Sequence, residues 1–241
     1  MQMFQPALFQ DVIRKDRLPT RLLTRQRPIH RWLNFIAGFS PEFVSACIQN
    51  AELANDAVII DPFAGLSTTL VQANIEGIRS VGFEAHPFFY DMSLAKLFLP
   101  PDAMVVDKVE AFLRAVSEPY GDLREIWSLQ ARTFLEKLIP YESLRFLATA
   151  VLQTDSAPSP LLHRLLLTRV LELTAHAQTD GIYKAPTTRK RTGHYMVCIL
   201  KHIPSLRASY KKTALRSSAL TGCAIEVIAG RLRSVKEPDV L

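Results

Sequence analysis

The 241-residue chain predicts an α/β fold: a parallel sheet begun by a βαβ unit and interrupted by a large all-helical insertion. Three observations carry that reading. The run Ala-Val-Ile-Ile at 57–60 is all apolar, the kind of strand buried on both faces of a parallel sheet. A helical stretch, Leu66 to Glu76, follows it and is stopped by Gly77, after which residues 79–84, RSVGFE, read as a second strand. From about 102 to 178 the apolar residues recur at helical spacing instead.

In chain order, residues 1–29 read as an irregular basic arm containing Pro19 and Pro28. The segment 30–101 holds the βαβ region. It opens with a helix whose start is marked by Ser40 as N-cap and Pro41 at the first helical position, with Phe43, Val44, Cys47 and Ile48 as its apolar stripe. Residues 102–179 form the helical insertion. Val105, Val109, Phe112, Leu113 and Val116 fall on one face, and Leu161, Leu162, Leu165, Leu166 and Val170 form another. Breaks at Tyr120-Gly121, Pro140 and Ser156–Pro160 divide it into about four helices. Residues 180–241 run through a basic loop (180–193), a helix at HYMVCILKHI (194–203), a basic connector (204–217) and a strand at CAIEVIA (223–229).

Nearly half the residues are apolar, which predicts a packed core rather than disorder. No apolar run reaches the length of a membrane span, and the N-terminus lacks the order of a secretory signal. Cys47, Cys198 and Cys223 are far apart and odd in number, which points to a reducing, cytoplasmic setting. The net charge of +6 is uneven: residues 14–31 hold seven Lys/Arg and one acid, residues 184–233 hold eleven and one, and residues 32–183 carry a net of −8. Basic ends fit contact with nucleic-acid phosphates, and a solvated basic surface fits equally well. The candidate DNA contacts are Arg189, Lys190 and Arg191 in TTRKRTGHY (187–195), where Tyr195 stands beside them, and Lys211 and Lys212 in the connector. Six histidines lack Asp, Glu or Cys partners at ligand spacing, so no metal site is expected.

The chemistry concentrates in AVIIDPFAGLSTTLVQANIEGIRSVGFEAH (57–86). A strand ends at Asp61, and the turn Pro62-Phe63-Ala64-Gly65 brings backbone close to any ligand. The following helix opens with Ser67, Thr68 and Thr69, and its free N–H groups favour an anion such as a carboxylate. Asp61 suits an ammonium group. Glu84, 23 residues later at the next strand tip, suits two ribose hydroxyls. A ligand with a carboxylate, an ammonium and a ribose matches S-adenosylmethionine. Neither G-x-G-x-x-G nor G-K-[ST] is present, which argues against a dinucleotide or Walker-type site.

At these residues the sequence resembles the DNA amino-methyltransferases, which methylate adenine N6 or cytosine N4. DPFAGLSTT is similar to their D-P-F-x-G-x-G-T-T cofactor motif. HRWLNFIAGFSPEFV (30–44) resembles the segment that closes over the other side of the cofactor, and GFEAHPF (82–88) fits their ribose-binding acid. The resemblance covers residues 28–98 well and the rest loosely. It implies an incomplete Rossmann-like class I methyltransferase sheet. It also implies a cofactor site of Phe39, Ser40, Asp61, Pro62, Phe63, Gly65, Ser67, Thr68 and Glu84, with Glu84 on the ribose. Ser67 replaces the family's second glycine. Its hydroxyl can bond a carboxylate, but a position that demands φ > 0 makes serine a burden.

The family holds its target amine with a tetrapeptide, [DNS]-P-P-[YFW], whose ring stacks on a flipped base. Leu99-Pro100-Pro101-Asp102 and Ser117-Glu118-Pro119-Tyr120 each match it only in part, and both read as loop punctuation. No catalytic residue is therefore assigned. The resemblance places the catalytic strand about where the sequence stops at Leu241, with Arg231 where an acid is expected. The chain then reads as the first half of a split enzyme whose second chain supplies the catalytic half, or as a truncated or degenerate product. An RNA methyltransferase, since D-P-F-x-G also occurs there, and a non-catalytic S-adenosylmethionine- or DNA-binding protein remain open.

Overall fold

The computed structural model describes residues 27–33, 38–97, 104–116, 122–176, 194–199, 203–204, 206–208 and 225–229. They divide between two compact units. One holds residues 27–31, 38–97 and 225–229, and the other holds 32–33 with the described residues from 104 to 208.

The first unit is a small parallel sheet with helices. Its opening helix α1 (Pro41–Asn50) starts where Ser40 takes extended backbone and its Oγ accepts the Phe43 N–H at 3.1 Å, with Pro41 at the first position. Val44 and Ala46 are buried. Strand β1 (Val58–Asp61) leads into α2 (Thr68–Ile75), which packs against α1. Gly77 adopts φ 78°, and the Ile78 N–H reaches back to the Ala73 carbonyl at 2.9 Å, so the helix ends in a left-handed cap. Strand β2 (Arg79–Glu84), α3 (Pro87–Leu97) and β3 (Ile225–Ala229) follow. The strand order is β1-β2-β3, all parallel, with Asp61 opposite Gly82 and Glu84 opposite Ala229.

Side chains alternate between faces along a strand. The register therefore puts Ile59, Asp61, Ser80, Gly82 and Glu84 on one face and Val58, Ile60, Val81 and Phe83 on the other. Helix α2 covers the first face. A Cβ at Gly82 would lie 2.7 Å from Leu70 Cδ2, so only glycine lets the helix approach this closely. Leu70 is fully buried there, worth about 1.5–3 kcal/mol. The second face differs from the expectation of a doubly buried β1: Val58 is 44% and Ile60 65% exposed. The cause is a missing cover over that face among the described residues, since Phe83 on the central strand β2 is 39% exposed there too.

The second unit is helical: α4 (Val105–Ala115), α5 (Leu123–Ile126), α6 (Leu129–Leu138), α7 (Tyr141–Leu152) and α8 (Pro160–Thr174), with residues 195–199 also helical. Among the described residues five helices stand where about four were expected, because Asp122 and Ser128 each cap a new helix start through their side-chain oxygens. The two predicted apolar stripes meet in the core: Val109 and Leu113 are fully buried, and Leu162, Leu165, Leu166 and Val170 nearly so. His163 is a core residue. Its Nε2 lies 2.9 Å from the Ala150 carbonyl, its ring stands edge-on to Phe112, and burial keeps its pKa below the usual histidine value. Tyr195, placed beside the basic loop as a DNA-facing ring, is instead buried and stacks on Phe146 at 4.3 Å. The aromatic area is what the helical core consumes. No described helix is long and apolar enough to cross a membrane.

Candidate cofactor site at the strand ends

The turn between β1 and α2 is built by backbone geometry that few residues tolerate. Asp61 ends β1, and its Oδ1 accepts the Phe63 N–H at 3.0 Å, folding the chain over the strand tip. Pro62 and Phe63 stand exposed, Phe63 at 89%. The Ala64 N–H returns to the Phe83 carbonyl at 3.0 Å and anchors the turn on β2. Gly65 then takes φ 53°, and Ser67 takes φ 57° with ψ 40°. Two left-handed residues before the helix explain why α2 starts at Thr68 rather than at Leu66.

Glu84 joins the two strand ends. Its Oε2 accepts the Gly65 N–H at 2.8 Å, and its Oε1 accepts the His86 N–H at 2.7 Å. Asp61 and Glu84 share one face of the sheet at neighbouring strand ends. Each carboxylate oxygen has more than one lone pair, so these bonds leave acceptor capacity for a ligand. Thr68 is half-buried at the helix start, where the first N–H groups lack intrahelical partners.

Ser67 has no outward hydroxyl. The residue is fully buried, its Oγ finds no hydrogen-bond partner and it makes no cap bond. Ser40 is likewise buried and spends its hydroxyl on capping α1, while Phe39 is 37% exposed beside Phe43. The geometry thus brings Asp61, Pro62, Phe63, Gly65, Ser67, Thr68 and Glu84 into one turn and its adjoining strand tip. Phe39 and Ser40 lie at the start of α1. Arg189, Lys190, Arg191, Lys211 and Lys212 lie outside the described residues, as do both partial matches to the tetrapeptide. His86 is exposed, and its Nδ1 accepts the Phe88 N–H at 3.2 Å as α3 begins.

Three residues beneath the turn were not singled out for this site from sequence. Ser93 Oγ donates to the Gly65 carbonyl at 2.9 Å, and Lys96 Nζ donates to the Leu66 carbonyl at 3.1 Å. Lys96 is only 4% exposed, and burial pushes its pKa down to about 7. His30, 3% exposed, is pushed down to about 3 by burial and then by the Lys96 charge, against a hydrogen bond with Gln72. The available signal was Ser93 and Lys96 three apart among the buried residues of α3, Met92, Ala95 and Leu97.

Among known proteins, the chain is similar to the Type II methyltransferase M.BsoBI of Geobacillus stearothermophilus, 26% identical over 169 residues. The match covers 66% of this chain and 31% of the relative, so the chain spans about a third of that protein's length. No protein-family model matches the chain. No solved structure matches it either. The described fold, mostly helical with a small parallel sheet, is compatible with part of an α/β methyltransferase fold.

Proposed function

We propose that this chain binds S-adenosylmethionine at the Asp61–Thr68 turn and the tip of β2, and serves as the cofactor-binding chain of a site-specific DNA amino-methyltransferase. The observation that carries the reading is the Gly65–Glu84 bond. It holds a close-approach turn against an acid on the same sheet face as Asp61. Asp61 is assigned the ammonium, the α2 N-terminus the carboxylate and Glu84 the ribose. Similarity to a Type II methyltransferase supports the methyltransferase part of this reading. When bound, the cofactor supplies the methyl group. The chain's own residues orient it and leave the target amine to be held elsewhere.

The [DNS]-P-P-[YFW] tetrapeptide that the resemblance calls for lies outside residues 1–241, and a second chain is proposed as its source. Its contact surface is the exposed side of β1, where Val58 and Ile60 lie in solvent although their apolar character suits an interior strand. Arg189, Lys190, Arg191, Lys211 and Lys212 are proposed to hold DNA phosphates.

Isothermal titration with S-adenosylmethionine tests the cofactor site, with Asp61→Ala and Glu84→Gln as controls and circular dichroism to check folding. Loss of one charge-assisted contact is expected to weaken binding about 10- to 100-fold. A folded parent chain that takes up no S-adenosylmethionine refutes the assignment.

A further inference from the structure

We infer that Ser93 and Lys96 are positioning residues for the turn: from α3 they fix the Gly65 and Leu66 carbonyls and so set the direction in which the turn presents its N–H groups. The inference rests on the reading of that turn as the cofactor site. In a planar trans peptide the carbonyl and the following N–H point in opposite directions. The Gly65 carbonyl faces Ser93, so the Leu66 N–H faces away from α3. The Leu66 carbonyl faces Lys96, while the Ser67 N–H folds back onto the Ala64 carbonyl at 2.6 Å. Both N–H groups of these two peptide planes therefore point away from the helix beneath, and since that of Ser67 is spent on Ala64, the turn offers the Leu66 N–H.

The two bonds lead into a strained residue. Ser67 holds a left-handed backbone that costs an L-residue about 1–2 kcal/mol, and such a conformation persists only where its surroundings over-determine it. The carbonyls anchored by Ser93 and Lys96 are those of the two residues directly before Ser67. Packing does not account for the amine at position 96. The neighbouring Met92, Ala95 and Leu97 are buried and apolar, no carboxylate pairs with Lys96 among the described residues, and methionine would fill similar space without an amine to desolvate. The Leu66 carbonyl is the acceptor that uses it.

The test compares the parent chain with Lys96→Met and Ser93→Ala in three measurements: thermal melting, hydrogen exchange of the Gly65 amide in 15N-glycine-labelled protein, and titration with S-adenosylmethionine. Nine glycines keep that spectrum readable. The expected result for Lys96→Met is a melting temperature equal to or above the parent's, with Gly65 amide exchange at least about 10-fold faster and the Gly82 amide unchanged. Affinity for S-adenosylmethionine should fall by a similar factor. Ser93→Ala should move the same two readouts in the same direction by less. Unchanged Gly65 exchange overturns the inference, as does a loss of affinity matched by a fall in melting temperature, which would make both residues merely structural. If the parent itself binds no S-adenosylmethionine, the functional reading fails while the exchange data still decide the positioning role.

Discussion

Replacing Ser67 isolates how much strain the turn stores. The residue sits at φ 57°, ψ 40°, is fully buried and leaves its hydroxyl without a partner. Ser67→Ala removes the orphaned hydroxyl and keeps the backbone strain, a gain of about 1 kcal/mol at the low end of the penalty for such groups. Ser67→Gly removes both. Relief of left-handed strain contributes about 1–2 kcal/mol, and the extra freedom of glycine in the unfolded chain returns about 0.5–1 kcal/mol. The glycine variant should therefore be the most stable of the three, about 2 kcal/mol above the parent. Because Ser67 makes no cap bond, nothing is lost at the helix start. The assay is urea unfolding at 25 °C followed by far-ultraviolet circular dichroism and by the Gly65 amide signal. Tryptophan fluorescence is unsuitable, since Trp32 and Trp127 both belong to the helical unit. A glycine variant less stable than the alanine variant would refute the reasoning, because the left-handed backbone would then cost less than the freedom glycine adds to the unfolded chain.

Other outcomes follow from neighbouring residues. Burial lowers the Lys96 pKa from 10.5 to about 7, so between those values the unfolded chain binds more protons than the folded one. Stability should accordingly rise with pH across that window, by up to about 1.4 kcal/mol per pH unit, and not change below it on account of this group. Urea midpoints at pH 6.5, 8 and 9.5 should show a slope in the parent that Lys96→Met lacks; equal slopes would contradict the burial argument. Gly82→Ala forces a methyl to within 2.7 Å of Leu70 Cδ2 and should destabilise the first unit by about 1–3 kcal/mol in urea unfolding. Ser40→Ala removes the cap on the Phe43 N–H and should cost about 1 kcal/mol, read in the same experiment.

What could be read in the sequence was what local physics decides. Residues 79–84 form β2 as expected, and Ser40 caps α1 as expected, because a strand bounded by a glycine stop and a Ser-Pro helix start carry their own signals. The turn after Asp61 was legible as a close-approach element. A positive φ at Ser67 was raised only through the glycine that the resembled family has there, and the delay of the helix to Thr68 was not legible, because serine seldom takes that backbone. The split between α5 and α6 was hidden by the absence of Gly or Pro at Trp127-Ser128. The exposure of β1 was illegible for a different reason: an apolar strand looks the same whether or not anything lies beside it. Ser93 and Lys96 act on carbonyls about 30 residues earlier in the chain, a relation that no local pattern encodes.

The pairing of β2 with β3 has a consequence for the order of events during synthesis. Ser80 is in register with Ile225, 145 positions later, and all described residues of the helical unit except 32–33 are spelled out between them. At about 5–20 residues per second, a ribosome needs roughly 10–30 s to cover that distance. For that interval β1 and β2 exist as a two-stranded ribbon whose far edge has no neighbour. Prior folding of the helical unit shortens the effective loop that β3 must close, and each halving of free loop length removes only about 0.6 kcal/mol of closure entropy. The sheet is therefore completed late and from a distance. Chaperone dependence and inclusion-body formation should track the stability of the helical unit more closely than that of the strands themselves.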